Sequence, residues 1–286
     1  MSVSGGFKPT TATKRTLARL QWLRGNVVQY FALFRRRPRS TVRPAWRAPR
    51  YLGIGAVVAI GVVVAAMLIA DASAVGLTKR LPEPLVAAFD RLTDFGKSVY
   101  FLVPIALLLV AMAVLASPML THMSRRVLAA IAVRLGFLFV AIALPGLVFT
   151  IVKRVIGRAR PLVEGSADPF LYRPLGWSVE YASLPSGHAT DAFAIAAAIG
   201  ALWPRTRPIM WTYALLIAVS RVVLTAHFPS DVIAGAIVGT AGALIVRDWF
   251  AARRLAFTLA PDGAVRPMPG PSFARIKRVA RQLIAP

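Results

Sequence analysis

Three short segments hold residues whose types and spacing could do chemistry. The first runs Lys153-Arg154-Val155-Ile156-Gly157-Arg158-Ala159-Arg160-Pro161. A phosphate spreads negative charge over its outer oxygens. An arginine offers a planar fork for two of them, and a lysine a compact point charge. Ordinary basic flanking of a membrane span is the plain alternative for this segment alone. The second is Pro185-Ser186-Gly187-His188. Ser186 can cap the helix that begins there, and the free N–H groups of a helix start attract an anion. Gly187 removes a side chain that would block an approaching oxyanion. His188 titrates near neutrality and can deliver a proton. A capped helix with an interfacial histidine is the plain alternative.

The third segment holds Ser220, Arg221, His227, Ser230 and Asp231. Arg221 lies inside an apolar run, where a charge is costly and is usually paired or functional. Pro229 disfavours helical geometry at Phe228. His227 is therefore expected at a helix end, followed by a tight turn, with Ser230 and Asp231 opening the next helix. Asp231 can then accept from one imidazole nitrogen of His227 and leave the other as a nucleophile. A structural His–Asp pair is the plain alternative. Together the segments use two of the three histidines in the chain. The third, His122, is expected at the opposite membrane face.

The elements that must position these residues are membrane helices. Of 286 residues, 57% are hydrophobic and only 16% charged, and the mean hydropathy is +0.63. Soluble domains carry nearer a quarter charged residues. Apolar runs fall at residues 51–70, 99–116, 135–152, 189–203, 209–226 and 232–246. In hydrocarbon the backbone must satisfy itself, so these runs are expected as helices. The reading is an all-α, polytopic membrane helix bundle with about six transmembrane helices. Ala72-Ser73-Ala74 resembles a processing site, but the run before it is longer than a signal peptide's, so it is read as an uncleaved span. Leu85, Phe89 and Leu92 share one face of a short helix between the first two spans, read as an interfacial helix that serves either in packing or as a ramp for substrate.

Charge sets the orientation. The formal net charge is +24, and residues 1–50 contain no Asp or Glu. Basic ends bordering apolar runs favour an anionic membrane surface over nucleic acid as the partner. The expected domains are a basic N-terminal arm (1–50), a six-span domain (51–250) and a basic C-terminal tail (251–286). Both ends and the loops with Arg125, Arg126, Arg205 and Arg207 are expected to be cytoplasmic. The Pro- and Gly-rich stretch 261–271 is read as loose, and residues 275–284 as a surface helix. The loop after the third span breaks the charge rule with Lys153, Arg154, Arg158, Arg160 and Arg173. An anionic substrate would explain why those charges stay outside. Without cysteines, disulfides and thiolate sites are excluded. No carboxylate cluster suited to a hard metal is visible either.

At these residues the sequence closely resembles the type 2 phosphatidic acid phosphatase superfamily, marked by KxxxxxxRP, PSGH and SRxxxxxHxxxD. All motif positions match in order, and the resemblance covers about residues 51–250. It implies a six-span helical core and catalysis without metal or cofactor. His227 would attack phosphorus and form a phosphohistidine, Asp231 would orient it, and His188 would protonate the leaving oxygen. Lys153, Arg160, Ser186, Gly187 and Arg221 would hold the phosphoryl oxygens. Arg154, Arg158 and Arg173 match no motif position. They are read as headgroup-attracting or simply solvated loop charges.

The expected activity is a lipid phosphatase in a bacterial inner membrane, with its active site on the periplasmic face. Phosphatidate, phosphatidylglycerol phosphate, a polyprenyl diphosphate and a lipid A phosphate are candidate substrates. A lipid phosphotransferase, a vanadate-dependent haloperoxidase, a transporter or flippase, and a catalytically dead scaffold stand beside it. No oligomeric state is indicated.

Overall fold

The computed structural model describes residues 48–116, 120–165 and 167–284, with scattered positions between 21 and 39. The N-terminal arm lies almost wholly outside the described residues. Helix α1 (Pro49–Ile69) begins with proline in its first turn, where the missing N–H costs nothing. It is apolar on every side, and residues such as Val57, Ile60 and Ile69 are exposed. A helix apolar all round with little protein against it requires hydrocarbon as its solvent. A short helix α2 (Asp71–Thr78) follows, then α3 (Glu83–Thr93), one 3₁₀ turn at Asp94–Gly96, and α4 (Val99–Leu115). Helix α5 (His122–Ile156) is 35 residues long. Helices α6 (Gly187–Leu202), α7 (Arg207–Val223) and α8 (Pro229–Ala252) complete the bundle.

The all-α membrane reading holds. Among the described residues, four helical stretches have the length and apolarity to cross a membrane: Pro49–Ile69, Glu83–Leu115 (α3, the 3₁₀ turn and α4 together), His122–Ile156 and Pro229–Ala252. The fourth and fifth expected spans are α6 and α7, of 16 and 17 residues. Both are shorter than the roughly twenty residues a full crossing takes. For α6 burial gives the reason: most of it, from Ala189 to Leu202, is enclosed by protein. The third span begins earlier than its apolar run suggests and continues to Ile156, so Lys153 and Arg154 lie on its last turn.

The chain divides into two compact units. One comprises residues 1–37, 107–133 and 270–286; the other comprises 38–106 and 134–269. In the first, helix α9 (Phe273–Ile284) places Val279 in a core with Leu120, Val127 and Leu128. The helix expected at 275–284 is present, and protein covers part of its apolar face.

The second unit is organised by a seam of small residues. A Cβ built on Gly239 would lie 2.2 Å from the Thr190 carbonyl oxygen, and one on Gly235 2.6 Å from the Ser186 carbonyl oxygen. With Ala243 buried one turn on, α8 therefore meets α6 backbone to backbone. Gly242 admits the Pro145 ring of α5 in the same way. Helix α3 packs on α7 through Leu92, beside Ala214 and Ile217. This favours the packing role for that helix.

The stretch read as loose is partly ordered. Strand β1 (Phe257–Leu259) pairs antiparallel with β2 (Val265–Pro267). Gly263 adopts φ +78°, and Asp262 Oδ1 accepts from the Ala264 N–H. Asp-Gly is a strong hairpin turn signal that the surrounding prolines obscured. Arg134 anchors the far end by donating to the Met268 and Pro269 carbonyls, both at 2.9 Å.

Gly239→Ala should force the two helices apart. Overpacking of this kind costs about 1–3 kcal/mol. A lower thermal midpoint in detergent, with activity falling alongside it, is the expected result. An unchanged midpoint would show that the seam is not under steric constraint.

Candidate active site

Helix α5 ends at Ile156, and Gly157 turns the chain with φ +64°. A Cβ there would lie 1.9 Å from the Arg173 carbonyl oxygen, so only glycine fits. Arg158 then enters the interior and is completely buried. Its Nη1 donates to Asp231 Oδ1 at 2.6 Å and to Ser230 Oγ at 2.7 Å. Its Nη2 donates to Asp71 Oδ2 at 2.7 Å, and its Nε to the Pro169 carbonyl at 3.0 Å. The Phe228 ring lies under the guanidinium, 4.6 Å away. Arg158 is thus neither solvated nor a surface attractor, which corrects the sequence reading. Desolvation works against its charge, but Asp231 and Asp71 outweigh that and raise its pKa above the ordinary arginine value.

The third segment folds as its proline predicts. Helix α7 ends at Val223, and the His227 N–H donates to the Arg221 carbonyl. Pro229 opens α8, and Asp231 Oδ2 accepts from the Phe228 N–H at 3.0 Å. His227 is buried, with Nδ1 3.6 Å from Asp231 Oδ2. That separation is too long for a direct hydrogen bond. Ser183 fills the gap: its Oγ donates to Asp231 Oδ2 at 2.6 Å and lies 3.3 Å from His227 Nδ1. The direct hydrogen bond expected from His227 to Asp231 is therefore replaced by a bridge through the serine. Burial holds the His227 imidazole below its ordinary pKa, against the pull of Asp231. The neutral form, which can act as a nucleophile, then predominates at pH 7.

The second segment sits against the third. The Ser186 N–H donates to the Asp231 backbone carbonyl at 2.9 Å, tying the starts of α6 and α8 together. Ser186 does occupy the N-cap position of α6, but its hydroxyl makes no capping bond. Its carbonyl accepts from the Thr190 N–H and hydroxyl instead. Gly187 also differs from expectation. A Cβ there would meet the Phe149 ring at 3.0 Å, so the glycine serves helix packing as well as access.

The first segment supplies cations to the same place. Lys153, Arg160, Gly187, His188, Arg221 and His227 line one cavity of about 390 Å³. Lys153 Nζ stands 5.0 Å from the Phe149 ring centre. The Arg160 N–H bonds the Glu180 carbonyl at 2.8 Å, and Arg221 Nη1 donates to Thr93 Oγ1 at 2.8 Å. Arg160 Nε, Arg221 Nε and Ser186 Oγ are buried without a hydrogen-bond partner among the described residues. Buried polar groups are nearly always satisfied, so three unsatisfied ones together call for a polar occupant. Burial lowers the Arg160 pKa, partly offset by Asp231.

All eight sequence-predicted residues therefore converge in one unit: Lys153, Arg160, Ser186, Gly187, His188, Arg221 and His227 gather at or beside the cavity, with Asp231 behind His227. The cavity also takes in Asp191, one turn after His188, whose Oδ2 accepts from the Ser98 N–H at 3.3 Å.

Two curated relatives align over most of this chain. One is a lipid A 1-phosphatase of Rhizobium johnstonii, 34% identical over 72% of this chain and 84% of its own length. The other is a lipid A 1-phosphatase of Rhizobium etli, 34% identical over 76% and 90%. The family model of the PAP2 superfamily matches residues 134–255. The chain belongs to the PAP2 superfamily. A solved transmembrane PAP2-type phosphatidylglycerolphosphate phosphatase from Bacillus subtilis is 18% identical. It covers 79% of this chain and 94% of its own, with a TM-score of 0.38.

Within this PAP2 protein, Asp71, Thr93, Arg158 and Ser183 support the motif residues without being motif positions. Asp71 left a signal in the sequence: it is the first acidic residue of the chain, at the end of an apolar run. Arg158 stood out as a charge on the outer loop, though its inward role did not show; Thr93 and Ser183 left no signal.

Arg158→Met should destabilise the protein by about 3–5 kcal/mol, because it strands two buried carboxylates. Thermal unfolding in detergent measures this, and a change under 1 kcal/mol, far below that range, would contradict it. Because the His227 pKa is lowered, activity should be lost only as pH falls through a value below the ordinary ~6.5. The acid limb of the kcat/KM profile reports that value. A limb at or above about 6.5 would refute the assignment.

Proposed function

We propose that this integral membrane protein is a lipid phosphatase working through a phosphohistidine on His227. The observation that carries the reading is the set of buried, unpartnered donors beside two histidines in one cavity. Phosphoryl transfer needs chiefly positioning and charge stabilisation, and that set supplies both. A phosphoryl group enters among Lys153, Arg160 and Arg221, with Ser186 Oγ and the start of α6 as further donors. The free imidazole nitrogen of His227 attacks phosphorus, and the P–O ester bond breaks. His188 gives its proton to the leaving oxygen. Water then attacks phosphorus, the N–P bond breaks, and the water proton returns to His188. Asp231, through Ser183 and its own contact, orients His227 and steadies its charge.

A lipid substrate is supported by the setting as well as by the relatives. The loop between α5 and α6 exposes Phe170, Leu175, Trp177 and Val179, with Trp177 86% exposed. Arg154 fixes this loop by donating to the Trp177 and Ser178 carbonyls. An exposed tryptophan beside a basic site suits the membrane–water interface. Both 34%-identical relatives are lipid A 1-phosphatases, so lipid A 1-phosphate is the first substrate to try. The basic-residue pattern supports cytoplasmic termini, a site on the opposite, periplasmic face and an inner-membrane location.

Purified protein in detergent micelles should release phosphate from lipid A and lose that activity by at least a thousandfold in His227→Ala, in line with removal of a covalent nucleophile. Activity should persist in EDTA, as a metal-free mechanism requires. Equal turnover of soluble phosphomonoesters would refute the lipid assignment. Phosphate appearing on a second lipid rather than in solution would identify a phosphotransferase. Lipid transport surviving His227→Ala would favour a transporter.

A further inference from the structure

A second cavity of about 510 Å³ adjoins the first. Arg160 borders both. Tyr181 and Ala226 line the second, and the residues that follow them, Ala182 and His227, line the first. The two cavities therefore share a wall along three separate stretches of chain, and one of these carries the proposed nucleophile. The second cavity thus stands beside the place proposed for the phosphoryl group.

The two cavities differ in charge. The first gathers Lys97, Lys153, Arg160 and Arg221 against the single carboxylate of Asp191. The second sets Glu164 and Glu180 against Arg160 and Arg173. Arg173 is already engaged: its Nη2 donates to Glu164 Oε1 at 2.6 Å, and its guanidinium covers the Tyr181 ring at 4.6 Å. The Tyr181 hydroxyl also donates to Glu164 Oε1, at 2.6 Å. A second phosphate here would meet two carboxylates, a cation that is spoken for, and Arg160, which a phosphoryl group in the first cavity already engages. A hydroxyl-bearing group would meet acceptors, since each carboxylate oxygen has two lone pairs. The ring face is taken by Arg173, so recognition by hydroxyl bonding is favoured over stacking. The wall is also shaped at some expense: Leu162 and Glu164 hold φ of +66° and +58°. Non-glycine residues in such conformations are strained and cluster at functional sites.

We infer that the second cavity is a leaving-group subsite for an uncharged, hydroxyl-rich headgroup, which makes the substrate a sugar-type phosphate monoester rather than a diphosphate. The inference rests on the phosphatase reading above and narrows it. The step is unchanged: the P–O bond to the headgroup breaks, and the headgroup oxygen takes the proton from His188.

The test uses the full chain in mixed micelles with three probes: a lipid phosphorylated on a hexosamine headgroup, phosphatidate and a polyprenyl diphosphate. Wild type should prefer the hexosamine phosphate to the diphosphate. Glu164→Gln and Glu180→Lys should each lower the hexosamine-to-phosphatidate ratio of kcat/KM about tenfold, mainly through KM, as lost hydrogen bonds to a charged group would. Glu180→Lys should also raise relative activity on the diphosphate. The Glu180 side chain is exposed, so this variant decides the matter if Glu164→Gln does not fold. A wild type that prefers the diphosphate, or a ratio unmoved in Glu180→Lys, overturns the subsite. A wild type that releases phosphate from no lipid at all defeats the phosphatase reading itself, and that is seen before any variant is made.

Discussion

The site depends on one buried guanidinium. Arg158 holds three parts of the chain in register: α2 through Asp71, the start of α8 through Ser230 and Asp231, and the loop after α5 through Pro169. Ser230 adds its own bonds to Asp71, from its backbone N–H at 3.0 Å and its hydroxyl at 2.5 Å. Burying a cation is tolerable only with near-complete pairing, and here every arm of the guanidinium has a partner. Two carboxylates against one guanidinium leave a formal charge of −1 behind His227. That excess suits a histidine that must carry positive charge while bonded to phosphorus. The same network therefore steadies the fold and sets the electrostatics of the attack.

Backbone proximity turns that network into a site. Helices α6 and α8 approach closely enough for the Ser186 N–H to bond the Asp231 carbonyl. They can do so only because Gly235 and Gly239 present no side chain to Ser186 and Thr190. The anion-attracting start of α6 and the histidine before α8 are thereby brought together without a loop to span the gap. Enclosure of α6 in protein is the other side of this arrangement, since a helix packed so tightly has little surface left for lipid.

The motifs were legible because phosphate chemistry demands particular residue types at helix ends, and Pro229 and Gly157 mark those ends locally. The long apolar runs were legible for a similar reason, since hydrocarbon leaves the backbone no other solution. The supporting residues were not, because their roles arise from distant contacts. Ser183 and Asp231 lie 48 positions apart, and Asp71 and Ser230 lie 159 apart. Arg158 and Arg160 stand two positions apart, yet one is sealed among carboxylates and the other faces the cavity. The motif marks Arg160, but nothing local shows that Arg158 turns inward to carboxylates far along the chain. Span lengths were legible only approximately, because hydropathy reports an apolar surrounding whether lipid or protein provides it.

The contrast between these two arginines states how the protein divides stability from function. Arg158 has spent its hydrogen-bonding capacity on the fold. Among the described residues, Arg160 and Arg221 each keep a buried Nε without a partner, and Lys153 lies beside the Phe149 ring. Cations held around one cavity repel one another, and that repulsion opposes folding. It is sustained by fixed supports: Thr93 on Arg221, the Glu180 carbonyl on the Arg160 backbone, and Phe149 beside Lys153. An entering phosphate relieves the repulsion and satisfies the idle donors at once. Because the donors are already placed, little reorganisation remains when charge shifts in the transition state, which is where preorganised dipoles are worth most.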